Sequence, residues 1–174
     1  MSYDVVLLVE QAITLDDATR VHSLHEGVED PVYHVLLPLE DAAARIESAM
    51  GTLSAAEYLG SAMMMNEIDL DAVREEAKEE AEKALEQTLK VLKTSGASAH
   101  GELVQDPVKA LRAKVAAVDG REAIIMTRPH VVAEFFHVDW THQARRHLHV
   151  PVLHLIEHEN FDEQAGEGEG ISGM

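Results

Sequence analysis

Two cation-bearing side chains, Arg128 and His130, follow the short apolar segment at residues 123–126, and Thr127 adds a hydroxyl between them and that segment. A guanidinium, an imidazole and a hydroxyl at the end of one strand could bind a phosphate or a carboxylate. A helix that begins just beyond them would add the anion-favouring end of its dipole. The alternative is structural: Arg128 pairs with one of the many nearby acids, and His130 caps the following helix.

The eleven histidines raise the question of a metal site. None of the close combinations has the His-Glu-x-x-His spacing that places two imidazoles and a carboxylate on one helix face. The sequence therefore favours scattered histidines, and we expect no metal site. The closest combinations are His137 with Asp139, His142 with His147, and His147 with His149.

Motifs for nucleophilic chemistry are absent from the sequence. There is no cysteine, no serine within a Gly-x-Ser-x-Gly elbow, and no Gly-x-x-x-x-Gly-Lys phosphate loop. A hydrolase or transferase that uses a carboxylate at a strand end would need a matched acid and base, which the sequence does not display. We therefore expect a protein that is not an enzyme.

Composition narrows the classes of partner and the location. The chain has 174 residues, is 46% hydrophobic but only 4% aromatic, and carries a formal charge of -18. Such a charge repels phosphate backbones, so nucleic acid is disfavoured as a partner. The lack of cysteine fits a reducing compartment, and no signal peptide or membrane span is evident. We expect a cytoplasmic protein.

Short apolar runs rich in β-branched residues alternate with helical patterns. This alternation predicts βα units and a parallel sheet. The fold class is therefore α/β: three α/β/α layers around a five-stranded parallel sheet, Rossmann-like in type. Strands are predicted at residues 5–9, 31–37, 99–104, 123–126 and 150–156, with the third near an edge; helices are predicted at residues 14–27, 68–94 and 106–119 and within residues 131–149.

The remaining segments set the domain limits. Within residues 40–66, residues 41–50 have helical composition, and Gly51 and Gly60 interrupt it. Met63, Met64 and Met65 form an apolar patch with no clear period, and they could fill the core, form a lid or line a ligand. An acidic, glycine-rich stretch follows Glu157 and has too few apolar residues to repay the entropy of ordering. We expect one domain at residues 1–157 and a disordered tail at residues 158–174.

In an open α/β sheet, ligands bind beyond the carboxyl ends of the strands. We call this edge of the sheet the rim. His34 and His154 lie inside predicted strands instead, where we expect ring nitrogens bonded to carbonyl groups. The rim candidates are Glu10 and Gln11 after the first strand, Pro38 and Leu39 after the second, Gln105 and Asp106 after the third, and Thr127, Arg128 and His130 after the fourth.

The second half of the chain resembles a known family. A Gln-Asp-Pro turn at residues 105–107, an amphipathic helix, a strand that ends in Thr127-Arg128 and a final Val-Pro-Val-Leu strand follow one another. This order resembles the C-terminal half of the universal stress proteins, within the adenine-nucleotide alpha-hydrolase-like superfamily. The resemblance implies the same fold and, in its nucleotide-binding members, an adenosine site at the rim.

The family's phosphate-binding pattern is degenerate in this chain. That pattern is Gly, two residues, Gly, nine residues, Gly and then Ser or Thr. Thr127, His130 and Trp140 stand where the three glycines would be, and only the hydroxyl of Thr141 is retained. Their side chains would occupy space that a phosphate needs against bare backbone. Glu10 matches the family's acidic residue near the adenosine, and Asp106-Pro107 matches its turn near the adenine.

Two functional hypotheses follow from this resemblance. The first is a non-enzymatic stress-response or regulatory protein with a degenerate nucleotide site and no cofactor. In the alternative hypothesis the chain binds ATP, AMP or a small anion weakly, with Glu10 on the ribose and with Thr127, Arg128 and His130 on the anion. The resemblance also implies a homodimer through the last strand, from Val150 to Ile156. Phe135, Phe136 and Trp140 could plug the nucleotide space or form part of the dimer surface.

Overall fold

The computed structural model describes residues 2–39, 70–128 and 144–157. A helical turn at residues 144–147 precedes the last strand. The elements, in chain order, are β1 (Tyr3–Val9), α1 (Leu15–Ser23), β2 (Pro31–Pro38), α2 (Leu70–Thr94), β3 (Ser98–Val104), α3 (Pro107–Val118), β4 (Glu122–Thr127) and β5 (Val152–Ile156).

The five strands form one parallel sheet in the order β3-β2-β1-β4-β5. This confirms the predicted α/β fold class, and β3 lies at an edge as expected. In register, Val6 of β1 lies opposite His34 of β2 on one side and Ala123 of β4 on the other. The chain builds outward from β1 through β2 and β3 and then crosses to β4. The strand order therefore reverses between β1 and β4.

Element bounds differ from the predictions mainly at strand and helix ends. The last strand begins at Val152 rather than at Val150, and the intervening Pro151 has no amide hydrogen to donate to a ladder. Helix α1 ends at Ser23 instead of continuing to Gly27, which lies in the following turn with a φ of 89°. The Thr14 cap is confirmed, because the Thr14 hydroxyl accepts from the amide of Asp17 at 3.2 Å.

Two apolar cores lie on the two faces of the sheet. Val5, Leu7 and Val9 point into the first core, together with side chains from α1 and α2. Val6 and Leu8 point into the second core, which α3 and residues 144–150 cover. All five of these β1 side chains are 0% exposed. A strand that is buried on both faces must be apolar at consecutive positions, as the sequence is.

Helix α2 packs closely against the edge strand β3. A Cβ atom placed on Gly101 would lie 2.6 Å from Leu85 Cδ1 and 3.3 Å from Leu89 Cδ2. Gly101 therefore weakens the strand pattern in the sequence for a packing reason: a larger residue would force the Leu85 side chain, or the helix that carries it, to shift. None of the helices in residues 2–39, 70–128 and 144–157 is both long and apolar enough to span a membrane.

Several predictions concern residues outside the described ranges. They include the uncertain segment at residues 40–66, the greater part of the helix within residues 131–149 and the tail at residues 158–174. Glu157, by contrast, is described and is 1% exposed, so the folded part of the chain extends through it.

A buried hydrogen-bonded chain links Tyr33, His25 and Glu122 at the amino-terminal side of the sheet. With the ring proton placed on Nε2, His25 donates to a Glu122 carboxylate oxygen and accepts from the Tyr33 hydroxyl, which lies 2.7 Å from Nδ1. His25 Nδ1 also lies 3.1 Å from the Val21 carbonyl, which the Tyr33 hydroxyl approaches at 3.4 Å. Burial first, and then the Glu122 carboxylate, raise the pKa of the Tyr33 phenol well above its usual value. These hydrogen bonds connect β2, the turn after α1, and β4.

His34 bonds to a side chain rather than to a carbonyl group as predicted, and His154 has a side-chain contact as well. His34 Nε2 donates to Asp4 Oδ1 at 2.7 Å, and His154 Nε2 lies 2.9 Å from the Thr127 hydroxyl. His34 lies on the interior strand β2, whose carbonyls are used by the sheet ladders, so its ring bonds to the Asp4 side chain on the neighbouring strand. Burial would raise the pKa of Asp4, but hydrogen bonds from His34 and Ser2 outweigh it and lower the pKa below 3.8.

We expect His25→Ala to lower the free energy of unfolding by roughly 2 kcal/mol, because a buried bond to a carboxylate and a bond from Tyr33 are lost together. Urea unfolding followed by circular dichroism would measure the change. The matched control is His147→Ala, since His147 is exposed and should shift the value by less than about 0.5 kcal/mol. Equal effects of the two variants would contradict a structural role for His25.

The lowered pKa of Asp4 predicts an acid-dependent contribution to stability. Its contribution is fully present above the unfolded pKa of about 3.9 and is lost as the pH falls through the lower folded value. Between about pH 5 and about pH 2, wild type should therefore lose more unfolding free energy than Asp4→Asn. Asp30→Asn is the control, because Asp30 is exposed and its φ of 51° suits asparagine. A wild-type slope in Asp4→Asn would show the prediction to be wrong.

Candidate functional site

The carboxyl ends of β1 and β4 are joined by an ion pair. Arg128 Nε lies 3.5 Å from Glu10 Oε1, and the Arg128 amide donates to Glu10 Oε2 at 3.0 Å. The Glu10 amide in turn donates to the carbonyl of Met126 at 3.2 Å. The pair lies at the reversal of strand order, where open α/β sheets place their ligands. Arg128 thus follows the structural alternative, pairing with a local acid.

The two members of this pair differ in exposure. The Glu10 side chain is 14% exposed, whereas that of Arg128 is 46% exposed. Glu10 is therefore held at the floor of the rim, and Arg128 reaches over it into solvent. Because solvent screens the exposed guanidinium, the pair contributes on the order of 1 kcal/mol to stability, and a ligand with an anionic group could compete with Glu10 for Arg128.

A cavity of about 220 Å³ opens beside the Glu10–Arg128 pair. Its walls come from the ends of three strands and from one side of α2. Three alanines on α2 have small side chains, which leave space for the cavity. Glu80 adds a second carboxylate, which was not among the candidates from the sequence. The lining residues are Glu10, Gln11, Leu37, Pro38, Ala77, Glu80, Ala81, Ala84 and Arg128. Glu10, Gln11, Pro38 and Arg128 were rim candidates, so the strand ends converge as expected.

Thr127 does not face this cavity. It is 4% exposed, its hydroxyl contacts His154, and its carbonyl accepts from the Glu157 amide at 2.9 Å. Its neighbour Met126 points into the core beneath α2, and successive strand residues point to opposite faces, so Thr127 faces the α3 side. The proposed anion contact by Thr127 therefore has no support from this geometry.

Gln105 and Asp106 follow β3 at the sheet edge, and neither lines the cavity. Asp106 caps α3 by accepting a hydrogen bond from the Lys109 amide at 3.0 Å, with Pro107 in the first turn. The predicted cap is confirmed, and it gives Asp106 a structural role. His130 and Thr141, the other two site candidates, lie outside the described residues, as do Phe135, Phe136, Trp140 and Met63 to Met65.

A second polar cluster fastens the end of β5 to the loop after β1. The Gln11 side-chain amide donates to Glu157 Oε2, and Arg20 Nη2 donates to the carbonyl of Ile156 at 2.6 Å. Arg20 also lies 3.3 Å from the carboxylate of Asp17. These contacts hold Gln11 at the cavity wall. No local sequence pattern predicts these contacts, because Gln11 and Glu157 are 146 positions apart.

No three histidine or acidic side chains among the described residues could hold a metal ion together. The polar groups that line the cavity beside Glu10 and Arg128 are two carboxylates, one guanidinium and one amide. Carboxylates accept from hydroxyl groups such as those of a ribose, and a guanidinium donates to phosphate or carboxylate. The described part of the site is suited to binding a small polar molecule.

Solved structures share this architecture across most of the chain. The hypothetical protein MJ0577 superimposes with a TM-score of 0.59 and 12% identity, over 91% of this chain and 98% of that one. The universal stress protein from Archaeoglobus fulgidus gives 0.54 and 13% identity, over 87% of this chain and 91% of that one. The fold is that of the universal stress proteins. No protein-family model and no curated protein matches the sequence.

Two further structures with the universal stress protein fold bear on the site. UspA from Lactobacillus plantarum superimposes with a TM-score of 0.52 and 14% identity, over 89% of this chain and 99% of that one. The Archaeoglobus fulgidus protein in complex with dAMP gives 0.53 and 12% identity, over 88% of this chain and 98% of that one. These superpositions establish a shared fold. At such low sequence identity they do not identify a ligand for the present chain, which must be inferred from its own residues.

Proposed function

We propose that this chain is a non-enzymatic regulatory protein of the stress-response type, with a degenerate nucleotide site at its rim. The observation that carries the proposal is the Glu10–Arg128 ion pair beside a cavity of about 220 Å³. Ligand cavities usually measure about 300–1,000 Å³, so the described cavity is small for a whole nucleoside triphosphate. The proposal includes a cytoplasmic location, which the cysteine-free sequence favours.

The contacts of Glu10 support the proposal of a degenerate nucleotide site. Both of its carboxylate oxygens contact Arg128, one through the guanidinium and one through the backbone amide. These contacts use part of the acceptor capacity of the carboxylate, so a ribose hydroxyl would have to share both oxygens with Arg128. The resemblance places His130 and Trp140 at two of the family's glycine positions, where their side chains would add bulk against an approaching phosphate.

The absence of enzymatic activity is part of the same proposal. Proton transfer requires a group that changes protonation near the working pH. Among the described residues that line the cavity, the ionisable groups are Glu10, Glu80 and Arg128. Arginine stays protonated in proteins, so it stabilises charge without serving as a base. Within the described lining of the cavity, no histidine, lysine or tyrosine accompanies the two carboxylates as an acid partner.

A second candidate function is weak binding of AMP or another small anion. It is favoured by the exposure of Arg128, whose guanidinium could turn from Glu10 toward an anion. The related fold from Archaeoglobus fulgidus was solved in complex with dAMP. In this candidate Glu10, released from Arg128, would accept from the ribose.

Calorimetric titration with ATP and AMP separates the two functions. If the nucleotide site is degenerate, we expect no saturable heat with ATP up to about 1 mM. If AMP binds, Arg128→Ala should weaken it by roughly tenfold, because a charge-assisted hydrogen bond is lost. Arg121→Ala is the matched control, since Arg121 is exposed and lies outside the cavity.

Two results would contradict the proposal of a degenerate nucleotide site without enzymatic activity. One is micromolar binding of ATP that Ala81→Leu abolishes, because Ala81 lines the cavity and leucine would fill it. The other is release of inorganic phosphate from ATP above the uncatalysed rate.

We also propose that the chain forms a homodimer through its last strand, over Val150 to Ile156. β5 lies at one edge of the sheet, where backbone groups face outward, and Leu153 on it is 37% exposed. Edge strands with apolar side chains readily pair with another chain, and a two-fold axis would bring two copies of β5 together.

Leu153→Lys should convert the dimer to a monomer in light scattering at about 10 µM protein, because it places a charge at the centre of the interface. Leu24→Lys is the control, since Leu24 is similarly exposed, at 38%, but lies just after α1. A wild-type protein that remains monomeric at about 100 µM would exclude this interface.

A further inference from the structure

A second cavity lies on the opposite face of the sheet from the rim cavity. It runs between α3 and the segment that leads into β5, and its volume is about 540 Å³. The two walls share one core, because Leu111 and Val115 of α3 pack in the same apolar cluster as Ala144 and Leu148. The groove between them is therefore held by packing on both sides. We call it the α3 groove.

The charge of the α3 groove is opposite to that of the chain. Among the described residues that line it, Asp119 is the one acid, against two permanent cations and two histidines. The whole chain has 32 acidic and 14 basic residues. Charges beyond about 8 Å are strongly screened at physiological ionic strength, so a bound ion responds mainly to the local residues. The basic residues of the groove are Lys109, Arg112, His147 and His149.

The two permanent cations in the α3 groove form no ion pair with any acid in the described part of the chain. Other cations of this acidic chain do: Lys114 lies 3.0 Å from Glu102, and Arg20 lies 3.3 Å from Asp17. Lys109 and Arg112 are three positions apart on α3, so their side chains lie on the same side of the helix. Both are exposed, and both line the groove.

We propose that the α3 groove binds a small polyanion that carries two or more phosphate or carboxylate groups. Arg112 offers a planar fork of donors for one anionic group, and Lys109 offers a compact charge for a second. The ring nitrogens of His147 and His149 supply further hydrogen bonds from the facing wall. Ala113, Ala116 and Val150 provide a surface for the uncharged part of the molecule.

The shape of the groove selects a small molecule over a peptide or a nucleic acid. Its volume falls within the range of about 300–1,000 Å³ that is common for small-molecule sites. A nucleic acid would also need a run of phosphate contacts along an extended basic surface, and the net charge of -18 opposes that approach. A compact polyanion needs only the local cluster.

Calorimetric titration of the full chain with inorganic tripolyphosphate and, separately, with tricarballylate would test the proposal. These probes carry phosphate and carboxylate groups, so the preferred one identifies the chemistry. We expect saturable binding of one equivalent of at least one probe. The double variant Lys109→Ala with Arg112→Ala should weaken it by roughly tenfold or more, because two charge-assisted contacts are lost.

The matched control is Lys90→Ala with Lys93→Ala. These lysines are exposed on α2, are also three positions apart and change the net charge equally. The control should change the affinity by less than about twofold if local contacts decide binding. Arg128→Ala should also leave it unchanged, since Arg128 lies at the rim cavity on the other face.

Three outcomes would overturn the proposal. They are no saturable binding of either probe up to about 10 mM, an equal loss in the Lys90 and Lys93 control, or dependence on Arg128 in place of Lys109 and Arg112. A second readout uses wild type alone: the ring proton resonances of His147 and His149 should shift during the titration. If they stay fixed while the probe binds, the probe lies elsewhere and the proposal is wrong.

Discussion

The burial of β1 on both faces is the constraint on which the rest of the structure depends. Val5 through Val9 are 0% exposed, so the strand must lie inside the sheet with a helical layer on each side. Its neighbours are β2 and β4. Once β1 is central, the strand order must reverse beside it, and the residue that follows it arrives at the reversal. Glu10 owes its place at the rim to the apolar run before it.

Strand alternation divides the candidate site residues between the two faces of the sheet. Met126 points toward α2, Thr127 points toward α3, and Arg128 returns to the α2 side, where it meets Glu10. The same alternation separates the rim cavity from the α3 groove. The sheet thus carries two polar sites that share no lining residue. One is built around an ion pair, and the other has an excess of positive charge.

Local patterns were sufficient to predict much of the fold. The continuous apolar run of β1, the Thr14 cap and the Asp106-Pro107 helix start each depend on residues close in sequence, and the structure has all three. The convergence of strand ends at the rim followed from parallel topology alone. These features required no knowledge of which helix face packs against which strand.

The remainder depended on contacts between distant residues. His25 and Glu122 are 97 positions apart, and Gln11 and Glu157 are 146 apart, so no local pattern joins them. Glu80 reaches the rim because α2 packs in one particular rotation, which Gly101 permits through its close approach to Leu85. The side to which Thr127 turns was likewise set by the sheet. Packing of this kind is fixed only when the whole core forms.

The close packing at Gly101 also makes the two borders of the sheet unequal. On β3, the glycine has no side chain to offer a neighbouring strand, and the adjacent His100 and Glu102 are exposed polar groups. On β5, the exposed Leu153 is apolar. Strands with polar groups and glycine at a border resist addition of another strand. In the proposed β5 dimer the remaining borders would both be β3, so strand addition would stop at two molecules.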